Sequence, residues 1–153
     1  MKAKSAATNV IRHLIAAAAA ATLLSPLSPV TAIASATPTI GISAVVLSKQ
    51  TVNGKDYIVS DITIAPGGST GWHTHQGVVF GIVKAGTLTR NIGDCSIEGV
   101  SNPGDPITDP TGPDHVHIGR NLGTTPVVLE VTYVDPTGAP TADSAPNPGC
   151  DFN

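Results

Sequence analysis

Gly67–Gly86 reads GGSTGWHTHQGVVFGIVKAG, and the fold follows from how this stretch is parsed. His73 and His75 stand two residues apart, and the β-rich run Val78–Lys84 follows before Ala85-Gly86 closes it. No apolar period of three to four residues passes through the stretch; short β-branched runs between turn residues predict strands at Gly71–His75 and Val78–Lys84. The same texture continues on both sides. Strands are predicted near Ile42–Leu47, Tyr57–Ala65, Thr87–Asn91, His115–Asn121 and Pro126–Val134. Asn53-Gly54, Pro66-Gly67-Gly68, Ala85-Gly86 and the Gly/Pro/Asp-rich segment Asn102–Asp114 separate them, and Asn53-Gly54 is a two-residue hairpin signal. Regularly punctuated short strands without a helical period imply an all-β sandwich, jelly roll or barrel.

The second pair of histidines, His115 and His117, repeats the His-x-His-x-Gly pattern of the first. Residues two apart on a strand share a face, with Cα atoms about 6.5–7 Å apart, so each pair of imidazoles points one way and can converge on one ion. One such pair is a weak signal, because a lone histidine is usually a surface or satisfied core residue. Here His73, His75, His115 and His117 are all the histidines that follow His13, and the concentration in two pairs points to metal.

Further out, the N-terminus has the order of a cleaved export signal. Lys2, Lys4 and Arg12 are followed by the apolar run Leu14–Leu24, by Pro26 and Pro29, and by the small-x-small sites Ala32-Ile33-Ala34 and Ala34-Ser35-Ala36. Eleven apolar residues fall short of the ~20 that a spanning helix needs. Residues 1–36 are therefore expected to be a signal peptide removed after Ala34 or Ala36, placing the product outside the cytoplasm, secreted or periplasmic. Five basic and eleven acidic residues follow Ala36, a net charge of −6, which disfavours nucleic acid and anionic membrane as partners. Five aromatic residues in the whole chain are too few for a base-stacking platform. Cys95 and Cys150, an even pair in an oxidising compartment, are expected to form a disulfide that pins the Pro-rich tail 135–153.

At the histidine motifs the sequence resembles the cupin family, whose members are small β-barrels of jelly-roll type. Gly67, His73, His75 and Gly86 fit the spacing of the first cupin motif, but Val79 stands where the family usually carries a metal-binding glutamate. Gly104, Pro110, Gly112 and His115 fit the second motif as far as its histidine; counting back from Asn121 instead selects His117, which the following run His117–Val134 favours. The resemblance covers about Ile42–Val134 and implies a single cupin barrel over residues 37–134. It also implies a centre of His73, His75 and His117; His115, on the same face two residues before His117, is an extra ligand, a group that supports the ligands from behind, or a proton acceptor. Asp114 and Glu130 are further carboxylates, each read first as solvated surface charge, and Asp61 and Trp72 are read as structural.

Imidazoles without a carboxylate suit a divalent transition metal (Zn, Cu, Fe, Ni or Mn) over Ca or Mg, and an oxidising compartment favours Cu or Zn. Val79, Phe80, Ile82 and Ile118 are expected to line a pocket for a small, weakly polar molecule. Two functions stay open at this level. One is a secreted cupin that binds metal and a small molecule; the other is a metal-dependent dioxygenase-type enzyme with a three-His centre. No residue is assigned as general acid or base, and a homodimer is compatible with the family.

Overall fold

The hairpin at Asn53-Gly54 sets the first register of the fold. Both residues adopt positive φ, 51° and 76°, the requirement of a tight turn matched to strand twist. It joins β1 (Ile40–Val52) to β2 (Lys55–Ser69), paired antiparallel from Val52↔Lys55 outward. The computed structural model describes residues 36–153; the export signal read over residues 1–36 lies, Ala36 apart, outside the described residues.

Eight further strands follow: β3 (His73–His75), β4 (Val78–Ala85), β5 (Leu88–Ile92), β6 (Ile97–Ser101), β7 (Pro106–Asp109), β8 (Gly112–Arg120), β9 (Val127–Pro136) and β10 (Asp143–Ser144). No helix occurs among the described residues. One half of the barrel runs β1-β2-β9-β4-β7 and the other β10-β3-β8-β5-β6; Ser69↔Arg120 joins them through β2 and β8. The result is the nearly closed all-β barrel expected.

Strand β9 shows why the sequence folds this way. Val127, Leu129, Val131, Tyr133 and Asp135 are buried, and the residues between them are not. The inward Val127, Leu129, Val131 and Tyr133 pack with Ile58, Ile64, Val79, Val83, Leu88 and Ile107 into the main core. A second cluster lies on the outer face of β3 and β8, where Trp72 and Ile118 pack with Ala145, Cys150 and Phe152 of the tail. Phe152 stacks on Trp72 with ring centroids 6.0 Å apart, and the Arg120 guanidinium lies 3.7 Å above the Phe152 ring.

The tail is held covalently, as expected: Cys95 and Cys150 form a disulfide. It also extends the sheet, since β10 pairs with β3 through Asp143↔Thr74 and Ser144↔His73. Three short strands, β6, β7 and β10, were absent from the sequence reading, and β7 lies inside the segment read as a separator.

Candidate metal centre

Three of the four paired histidines converge. His73 and His75 on β3 and His117 on β8 are buried on the inner face, and one ring nitrogen of each lies within 4.8 Å of the others. Direct pairing of His73 with His117 across the two strands brings their rings to 4.2 Å. His115 does not join them. Register advances from His73↔His117 to His75↔Gly112, so residues 113–116 stand opposite the single Thr74 and bulge out of the ladder. His115 rides on that bulge, and its Nε2 lies 2.8 Å from Glu98 Oε1.

The tautomers of the cluster follow from its partners. His73 Nδ1 donates to the Gly71 carbonyl at 2.9 Å, His75 Nδ1 to the Thr141 carbonyl at 2.7 Å and His117 Nδ1 to the His115 carbonyl at 3.2 Å. A carbonyl only accepts, so each Nδ1 carries the proton and each neutral ring keeps an Nε2 lone pair. Burial presses the His73 pKa down to about 4; burial and the adjacent His73 press that of His117 to about 3. Neutral imidazole with Nδ1–H fixed by a carbonyl is the form that ligates a metal. The donor set and its burial therefore fit a transition metal.

A cavity of about 50 Å³ adjoins the three rings. Ile62, Val79, Leu88, Ile107, Leu129 and Tyr133 supply most of its apolar wall, and Arg90 and Asp109 its charge. Burial and the nearby Asp109 and Asp135 carboxylates raise the Tyr133 phenol to about 12, so it stays protonated. Of the expected lining only Val79 is in place. Phe80 and Ile82 alternate with Val79 and point outward, 49% and 39% exposed, and Ile118 belongs to the Trp72 cluster. Strand β4 is apolar on both faces, which hid its parity from the sequence.

Among the other carboxylates, Glu130 pairs with Lys84 at the surface and Asp114 is exposed. The acid that approaches the three-histidine cluster is Asp109, which has no signal strong enough in the sequence reading to single it out. Its Oδ2 lies 3.6 Å from His117 Nε2, and its Oδ1 accepts from Arg90 Nη1 at 2.6 Å. The signal is the alternation Ile107-x-Asp109, buried at both positions on a four-residue strand that starts at Pro106 and stops before Pro110.

The family model described as "Cupin domain" matches residues 60–134, which hold all three clustered histidines. Residues 60–134 are a cupin domain. Solved structures share its fold. A cupin-2 domain from Rhodospirillum rubrum is 16% identical, with a TM-score of 0.55 over 69% of this chain and 66% of the other. A cupin-like protein from Thermotoga maritima is 19% identical, with a TM-score of 0.55 over 69% and 77%. A double-stranded β-helix domain protein from Klebsiella pneumoniae is 23% identical, with a TM-score of 0.53 over 68% and 84%. At these identities the likeness concerns the cupin fold alone. No curated protein matches the sequence.

Proposed function

We propose that this cupin binds a divalent transition metal through His73, His75 and His117 and presents it to a small, weakly polar molecule. The observation that carries this reading is the spent Nδ1 of each ring, which leaves each buried imidazole its Nε2 lone pair, with one ring nitrogen of each within 4.8 Å of the others. Three neutral nitrogen donors suit Zn, Cu, Ni, Fe or Mn over Ca or Mg, and an oxidising compartment favours Cu or Zn. The metal would supply Lewis acidity, polarising an oxygen of the bound molecule. The chain's own residues set what enters. A cavity of about 50 Å³ admits a few heavy atoms, its wall is chiefly apolar, and Tyr133 stays protonated beside it. His115, turned to Glu98 at the margin, is available to exchange protons there without holding the metal.

The second reading, a dioxygenase-type enzyme, is favoured by the cavity itself. The three histidines border an open cavity, which leaves room for substrate beside the ion. The signal-like order of residues 1–36 and the Cys95–Cys150 disulfide support a place outside the cytoplasm, secreted or periplasmic.

Metal content tests the proposal. Protein stripped with chelator and reloaded with Co(II) should take up about one ion per chain, and the His73→Ala/His117→Ala double variant none. A parent that takes up no metal overturns the reading. Oxygen consumption by the loaded parent with small enolic or phenolic compounds then separates enzyme from binding protein.

A further inference from the structure

Val79 offers no donor, yet a carboxylate stands directly across the sheet from it. In the β4–β7 ladder Val79 pairs with Asp109, and cross-strand partners share a face. Both residues are buried and line the cavity that the three histidines border. We propose that Asp109 is the fourth metal ligand of this cupin, an anionic oxygen donated from β7. The proposal rests on the metal reading above and completes its donor set.

Separation supports it. Two adjacent donors on one metal at ~2.0–2.1 Å stand roughly 3–3.4 Å apart. Asp109 Oδ2 lies 3.6 Å from His117 Nε2, the His117 nitrogen whose lone pair is unspent. That distance is long for a hydrogen bond and right for two ligands of one ion. The carboxylate's orientation is fixed from the other side. Arg90 Nη1 takes Oδ1 at 2.6 Å, which leaves Oδ2 as the oxygen turned to His117. Arg90 also has Glu98 Oε2 at 3.5 Å, so its charge remains compensated when Asp109 gives electron density to a metal. The donor set becomes three neutral nitrogens and one anionic oxygen, which lowers the net charge of a divalent centre from +2 to +1.

Asp109→Asn tests this, because the amide oxygen can still accept from Arg90 while the charge is lost. Stripped parent and variant are titrated with Co(II), and the Cu(II)-loaded forms are compared by electron paramagnetic resonance. We expect the variant to bind Co(II) at least tenfold more weakly, with a changed Cu(II) spectrum and an unfolding midpoint near that of the metal-free parent. Equal Co(II) affinity and an unchanged Cu(II) spectrum would overturn the proposal and leave Asp109 as a partner of Arg90 alone. A parent that binds neither ion would overturn the metal reading itself, and that result is visible without the variant. A crystal structure of the Co(II)-loaded parent decides independently of how the variant folds. Oδ2 at about 2.0–2.2 Å from the ion supports ligation, and a separation beyond 3 Å refutes it.

Discussion

Neutrality is the property of single residues on which this centre depends, and it has a thermodynamic consequence. An unfolded histidine titrates near 6.5, whereas burial holds His73 at about 4 and His117 at about 3. Between those values the unfolded chain takes up protons that the folded chain refuses, so stability is full above pH 6.5 and falls as pH drops. Asp56 adds to the loss further down. Hydrogen bonds from Thr51 and Lys49 hold it at about 2, so its contribution is present above 3.8 and disappears toward 2. Asp135 works in the opposite sense, since burial raises its carboxyl and the folded state binds that proton more readily. With two histidines against one carboxyl, the urea midpoint of the metal-free protein should fall steadily from pH 7 to 4.5. A midpoint flat over that range would contradict the neutral cluster.

Elements position what residues supply, and the smallest of them matters here. The two-residue strand β10 and the turn before it bring the Thr141 carbonyl to His75, so the tail is part of the support for the centre. Cys95–Cys150 anchors that tail and closes a loop of 55 residues. Its loss should cost about 4 kcal/mol on the chain-entropy account. Replacing both cysteines with serine should therefore lower the unfolding midpoint sharply and weaken Co(II) binding, of order tenfold, by loosening the His75 partner. Calorimetry and Co(II) titration of the double variant check the two effects separately.

What could be read in advance divides along the same line. The hairpin at Asn53-Gly54, the long strands and the His-x-His pairs announce themselves through turn chemistry and spacing. The choice between His115 and His117 depended on a bulge of four residues, which no local pattern of Pro113–Val116 encodes. Asp109 was hidden because β7 is four residues long and prolines bracket it. Phe80 and Ile82 read as inward because both faces of β4 are apolar, and only pairing with β7 and β9 decides which face meets the core.

At the scale of the whole molecule, the candidate centre draws on both halves of the barrel. His73, His75 and His117 belong to the half built around β3 and β8, whereas Val79, Asp109 and Tyr133 belong to the half built around β9 and β4. An ion shared by the two halves stabilises the folded chain by mass action. At a hundredfold excess over its dissociation constant the gain is about 2.7 kcal/mol. For a domain of this size that raises the melting temperature by roughly 10 °C. Differential scanning calorimetry of stripped and Zn-loaded protein should show this, and the His73→Ala/His117→Ala variant should show no shift. Gly71, Thr141 and His115 hold the three rings through main-chain carbonyls alone. Heredity therefore has no direct side-chain dial at the Thr141 and His115 contacts: exchanging Thr141 for another residue leaves its carbonyl in place, whereas any side chain at Gly71, held at φ 68°, would press on the Thr37 and Pro38 carbonyls. To retune the imidazoles from behind, a lineage would have to re-route the backbone by insertion or deletion.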